Sequence, residues 1–93
     1  MPQYIIERDI PGANELSEEE LRAMSEKARG VAKDLGPDLQ WLHSYVTEDK
    51  IYCVYIAQDE QLLWKHSEIA GFPVRRVTQI ASVLEGAEKE SCA

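Results

Sequence analysis

The chain predicts an α+β domain: a four-stranded antiparallel sheet with two helices on one face. Three observations predict this class. A hairpin signal stands at the centre, Trp41 to Ile56, written WLHSYVTEDKIYCVYI. A capped helical pattern flanks it on each side, and a short strand signal lies outside each helix. Trp, Tyr, Val and Ile suit a pleated, half-buried surface, whereas Thr47, Glu48, Asp49 and Lys50 break the apolar pattern with residues that favour turns.

The first strand runs from Tyr4 to Ile10, bounded by Pro2 and by the Pro11-Gly12 turn pair. Its charged residues, Glu7 and Arg8, fall on opposite faces because strand side chains alternate. Leu16 to Gly36 is the first helix. Ser17 and Glu20 stand at capping-box spacing, and Leu16 and Leu21 occupy the staple positions around them. Glu18, Glu19 and Glu20 place negative charge at the positive end of the helix dipole, which gives the acidic run a structural reason. Leu21, Met24, Ala28, Val31 or Ala32, and Leu35 recur at three- and four-residue spacing and lay one apolar stripe on the sheet. Gly36 and Pro37 end it.

After the hairpin, Asp59 caps a second helix from Glu60 to Ala70, stopped by Gly71 and Pro73. Its expected inner stripe is Leu62, Leu63, Ile69 and Ala70, with His66 in the middle and Trp64 at the edge. Arg76 to Val83 is the last strand, rich in β-branched residues. Residues 1–84 form one domain, and 85–93, polar and without period, read as a disordered tail. The element order βαββαβ is that of ferredoxin-like domains. Two helices on one face leave the other face bare, and its aromatic residues call for a ligand or a second subunit.

Composition narrows the function. The 93 residues suit one modest core to which a partner surface would add buried area, so a homodimer is expected. With no apolar run near the roughly 20 residues that span a bilayer, and no basic-then-apolar leader, neither membrane insertion nor secretion is expected, and the location reads as cytoplasmic. A net charge of −7 argues against nucleic acid, whose binders concentrate Lys and Arg. Cys53 and Cys92 have neither CxxC spacing nor the density of a disulfide scaffold and read as free thiols. There is no Gly-rich phosphate cradle, no aromatic RNA-binding strand in basic surroundings, and no serine in a nucleophile context. No catalytic residue is assigned.

Four stretches carry a family resemblance: Tyr4 to Arg8; Trp41-Leu42-His43-Ser44-Tyr45-Val46 with Glu48-Asp49-Lys50; Cys53-Val54-Tyr55; and His66 to Arg76, HSEIAGFPVRR. Through them, over roughly residues 3 to 84, the chain resembles the DUF4242 proteins, small domains of the dimeric α/β barrel type that include a nickel-binding kind. The resemblance implies a subunit that pairs through its open sheet face, with nickel or another divalent metal as a cofactor. It implies no reaction and carries over no ligand set.

Candidate ligands therefore come from chemistry. His43 shares a face with Trp41 and Tyr45 by alternation, while the smaller Leu42, Ser44 and Val46 turn to the helices. On the open face its imidazole can be a metal ligand or an acid/base group, or simply hydrogen-bond across an interface. Cys53 and Tyr55 join it if the hairpin loop has an odd number of residues. That register sends Val54 and Ile56 inward and is the expected one. Cys53 then becomes a second ligand, with a small core residue as the plainer alternative. His66 reads as a partly buried side chain satisfied by a carbonyl and as a weaker ligand, and Glu7 as a further ligand or base. The candidate metal set is His43, Cys53, His66 and Glu7. In the alternative function, a small-molecule-binding or enzymatic barrel, Trp41, His43, Tyr45 and Tyr55 line an open-face pocket. A third possibility is an interaction module without a ligand.

Overall fold

The computed structural model describes residues 1–86. In chain order it contains β1 (Gln3–Asp9), α1 (Glu18–Leu35), β2 (Leu39–Val46), β3 (Lys50–Ala57), α2 (Glu60–Ala70) and β4 (Arg76–Ile80). One turn of 3₁₀ helix, Ala13–Glu15, precedes α1 and is not announced by the apolar pattern. The strands pair antiparallel in the order β2-β3-β1-β4, the ferredoxin-like arrangement that the element order predicts.

The helix boundaries follow their caps. Glu20 N–H donates to Ser17 Oγ at 3.1 Å, and Ser17 N–H donates to Glu20 Oε1 at 3.1 Å, closing the capping box. Leu62 N–H donates to Asp59 Oδ1 at 3.1 Å at the start of α2. The chain leaves α2 through Gly71 at φ +77°, a conformation that lacks steric cost only for glycine.

β1 and β3 sort the sheet into two faces. Tyr4, Ile6 and Arg8 of β1 stand opposite Tyr55, Cys53 and Ile51 of β3, and all six are buried beneath the helices. Ala32 of α1 and Leu63 of α2 complete that core, with Ile6 and Leu63 wholly inaccessible. The other face carries Ile5, Glu7, Tyr52, Val54, Ile56 and Ile80.

Four expectations change. The inner stripe of α2 runs Leu63, His66, Ser67, Ala70, and Ile69 is 55% exposed; the helix is rotated toward Ser67 because that hydroxyl accepts a hydrogen bond from Arg8. β4 stops at Ile80 rather than Val83, since Ile80 pairs with Gln3, the first residue of β1, and no partner lies beyond. The loop parity is even: Val46 pairs with Ile51, leaving four residues between them, and Thr47 N–H donates to the Lys50 carbonyl at 2.8 Å. Cys53 and Tyr55 consequently face the helices while Val54 and Ile56 take the open face, the reverse of the expected register. Finally, a β-bulge between Trp41 and His43 inserts Leu42 as an extra residue, so Trp41 pairs with Tyr55 on the helix side and His43 pairs with Val54 on the open side. The strand alternation that placed Trp41 beside His43 is broken there. The expected tail begins in exposed, unpaired chain at 85–86, and its remainder, Cys92 included, lies outside the described residues.

Candidate functional site

On the open face His43 is solvent-exposed on the edge strand β2, its ring edge-on to Tyr45 with centroids 5.1 Å apart and planes at 81°. Edge strands have no neighbour on one side, so a side chain there can meet a ligand or another chain. Glu7 shares this face two strands away, about 10 Å at ordinary strand spacing. Its carboxylate is engaged already, with Lys50 Nζ at 3.0 Å and Arg75 Nε at 3.3 Å. Asp9 takes the same two cations, and its pKa is lowered chiefly by the hydrogen bond from Lys50 and next by that from Arg75. Lys50 is correspondingly raised, chiefly by Asp9. This cluster is an exposed ion-pair network that ties the end of β1 to β3 and to the approach to β4.

The helix face holds different chemistry. Arg8 is 1% exposed and lies among neutral acceptors. Its Nη1 donates to Ser67 Oγ and to the Pro73 carbonyl, each at 3.0 Å; its Nη2 donates to Tyr55 Oη at 3.3 Å; and its Nε approaches Cys53 Sγ at 3.4 Å. The Phe72 ring lies 5.3 Å from the guanidinium carbon. Burial drives the Tyr55 hydroxyl up to about 12, an effect that the nearby Arg8 charge only partly offsets, so the phenol stays protonated and can donate as well as accept. Cys53 is a buried free thiol.

His66 is completely buried, its ring 5.3 Å from that of Tyr55 and its Nε2 2.9 Å from the Ala28 carbonyl. A carbonyl only accepts, so Nε2 carries the proton and Nδ1 is left bare; it has no partner among the described residues. Burial lowers the pKa of this imidazole, and the hydrogen bond to Ala28 opposes the shift.

The candidate metal residues thus occupy three places: His43 and Glu7 apart on the open face, Cys53 on the helix face, and His66 at the α1–α2 contact. Among the described residues, no three His, Cys, Asp or Glu side chains gather closely enough to hold a metal ion. The candidate pocket residues divide as well. A cavity of about 500 Å³ lies between α1 and the helix face of the sheet, and Trp41, His43 and Tyr55 border it, whereas Tyr45 is 58% exposed on the far side. The residue that the sequence reading passed over is Arg8, which also borders this cavity. A single charged position in a strand carries little signal, and the groups that hold it lie 45 to 65 residues away. No described helix is long and apolar enough to cross a membrane.

The fold and the family have both been met elsewhere. The crystal structure of SCO4226 from Streptomyces coelicolor A3(2) superposes with a TM-score of 0.75 at 13% sequence identity, over 88% of this chain and 99% of that one. At that identity the likeness is one of fold. No curated protein matches the chain. The family model described as nickel responsive protein SCO4226-like matches residues 4–80, from the start of β1 to the end of β4. The chain therefore belongs to the SCO4226-like, nickel responsive protein family.

Proposed function

We propose that this protein is a divalent-metal-binding homodimer, with nickel the first candidate, whose subunits meet through their open sheet faces and whose His43 is the principal ligand. It handles metal by sequestration rather than by catalysis. The observation that carries the reading is the placement of His43: an accessible imidazole on the face that the helices leave bare. Neutral imidazole suits nickel and its neighbours among the divalent metals. The family's description as nickel responsive supports a metal-related role. The described residues of one subunit do not by themselves fit a metal ion, since their donors stand apart. A second subunit is accordingly part of the proposal, because another chain on that face would add donors near His43. The face also offers Ile5, Val54, Ile56 and Ile80, a continuous apolar surface of the kind that marks an interface.

The test is titration calorimetry of tag-free protein with nickel, zinc and cobalt beside His43→Ala, with native mass spectrometry to count chains and metals. Saturable binding at micromolar or lower concentration, carried by a two-chain particle and lost in the variant, is the expected result. Absence of binding in the native chain, or equal binding by His43→Ala, overturns it. A second reading, small-molecule binding, is favoured by the cavity beneath α1, which lies on the opposite side of the sheet from the pocket that the sequence suggests.

A further inference from the structure

The deepest charge among the described residues has no counter-ion among them. Arg8 is 1% exposed, and the four groups it reaches, Ser67, Tyr55, Cys53 and the Pro73 carbonyl, are all neutral. The ion pairs found among the described residues join Lys50 and Arg75 to Glu7 and Asp9 on the far side of β1. None of the described acidic residues forms an ion pair with this buried guanidinium. A buried charge is ordinarily paired, because removal from water is costly unless an opposite charge replaces the lost hydration. Arginine remains charged in any protein interior, so proton loss offers no relief.

The space beside Arg8 is shaped for the missing partner. The cavity of about 500 Å³ has a mainly apolar lining that includes Leu21, Met24, Trp41 and Phe72, with the buried Arg8 and Tyr55 on its inner side and the exposed Arg29 and the polar His43, Ser25 and Ser44 also bordering it. Its volume falls within the range of small-molecule sites, which are mostly apolar with a few fixed polar groups. Three of the four hydrogen bonds of Arg8 use Nε and Nη1, and Nη2 makes the remaining one, to Tyr55, so a second Nη2 N–H has no acceptor among the described residues. A planar guanidinium matches the planar, two-oxygen geometry of a carboxylate.

We propose that the cavity between α1 and the helix face of the sheet binds a small organic carboxylate with an apolar body, its carboxylate on Arg8 and Tyr55 and its body against Leu21, Met24 and Trp41. This site goes beyond the metal reading: although His43 borders the cavity, the anion-binding groups Arg8 and Tyr55 belong to the helix face of the sheet and neither is a proposed metal ligand. Arg8 is the residue that binds the anion, Phe72 covers one face of the guanidinium, and Ser67 and the Pro73 carbonyl hold its other edge.

The test uses 4-phenylbutyrate against its neutral isostere 4-phenylbutyramide, titrated into the metal-free native chain. Binding is followed by amide chemical shifts and by Trp41 fluorescence, with Trp64→Phe as the background because Trp64 is 45% exposed on α2. The carboxylate is expected to bind saturably and at least tenfold more tightly than the amide, with shifts confined to β1, β3 and the inner side of α1. Arg8→Gln removes the charge and Met24→Trp fills the cavity while leaving Arg8 intact; each is expected to weaken binding at least tenfold. Should Arg8→Gln fail to fold, Met24→Trp and the amide comparison still decide. Equal affinity for acid and amide, no saturable binding at millimolar concentration, undiminished binding by Met24→Trp, or shifts mapping to the open face would each overturn the proposal and leave Arg8 as a structural pin between β1, α2 and the turn that follows it.

Discussion

His66 is the side chain whose protonation the fold resists most visibly. Burial depresses its pKa, so the folded state holds the neutral imidazole while the unfolded chain takes a proton near pH 6.5. Stability contributed this way is complete above about pH 6.5 and is lost as the pH falls below that value toward the folded pKa. Denaturant midpoints measured from pH 7.5 down to pH 5 are expected to fall, and His66→Gln, which keeps an amide donor for the Ala28 carbonyl, is expected to flatten that slope. Tyr55 works at the other end of the scale. Its hydroxyl is raised to about 12, so the unfolded chain ionises near pH 10 before the folded one does. Stability is full below about pH 10 and drains away as the pH rises through about 12. Tyr55→Phe should remove the alkaline loss, while stranding one donor of Arg8. These two residues also mark the limit of sequence reading. His66 was legible as a buried histidine on a carbonyl because its position three residues from Leu63 on a helix determines its surroundings. Tyr55 and Arg8 were not, because what surrounds a strand residue depends on which strands and helices arrive beside it.

At the scale of the element, helices were legible and the hairpin only half so. The capping box of α1, the Asp59 cap and the glycine stops are all local, written within four residues of the event they control. Ser17→Ala should therefore cost about 1 kcal/mol, read as a lower thermal midpoint with unchanged helix content at low temperature. Gly71→Ala should cost a similar amount, about 1 kcal/mol, because an L side chain at φ +77° is strained. The hairpin's existence was legible in its composition, but its faces hang on a parity. An even loop between Val46 and Ile51 and one bulge at Leu42 reassigned Cys53, Tyr55 and Trp41 together. Nothing in the apolar pattern of WLHSYV distinguishes a continuous strand from one with an extra residue, since both place bulky groups on both sides.

For the molecule as a whole, the sheet is a partition: one side buries Arg8 beneath the helices, and the open side carries an apolar strip beside the Glu7, Asp9, Lys50 and Arg75 network. The proposed dimer makes the open side a matter of concentration, since association adds to stability by mass action. The sedimentation coefficient is expected to fall on dilution, and Ile56→Asp, which puts a charge at a half-buried position of that face, is expected to give monomers that remain folded. A native chain that stays monomeric at high concentration would count against a face-to-face pair. Leu63→Ala, at a wholly inaccessible position between α2 and the sheet, should cost about 2–5 kcal/mol in either association state.

The bulge at Leu42 makes one codon worth more than its side chain. Deleting it restores strict alternation along β2 with both halves in phase, because Trp41 then directly precedes His43 as their partners Tyr55 and Val54 directly adjoin. With Leu42 kept but drawn into regular strand, Trp41 and His43 would stand two residues apart on one face; the extra residue is what allows them opposite faces. A single in-frame deletion of Leu42 is thus expected to leave Trp41 beneath the helices and His43 on the open face, and a rise in quenching of Trp41 by a soluble quencher, in a Trp64→Phe background, would count against this register.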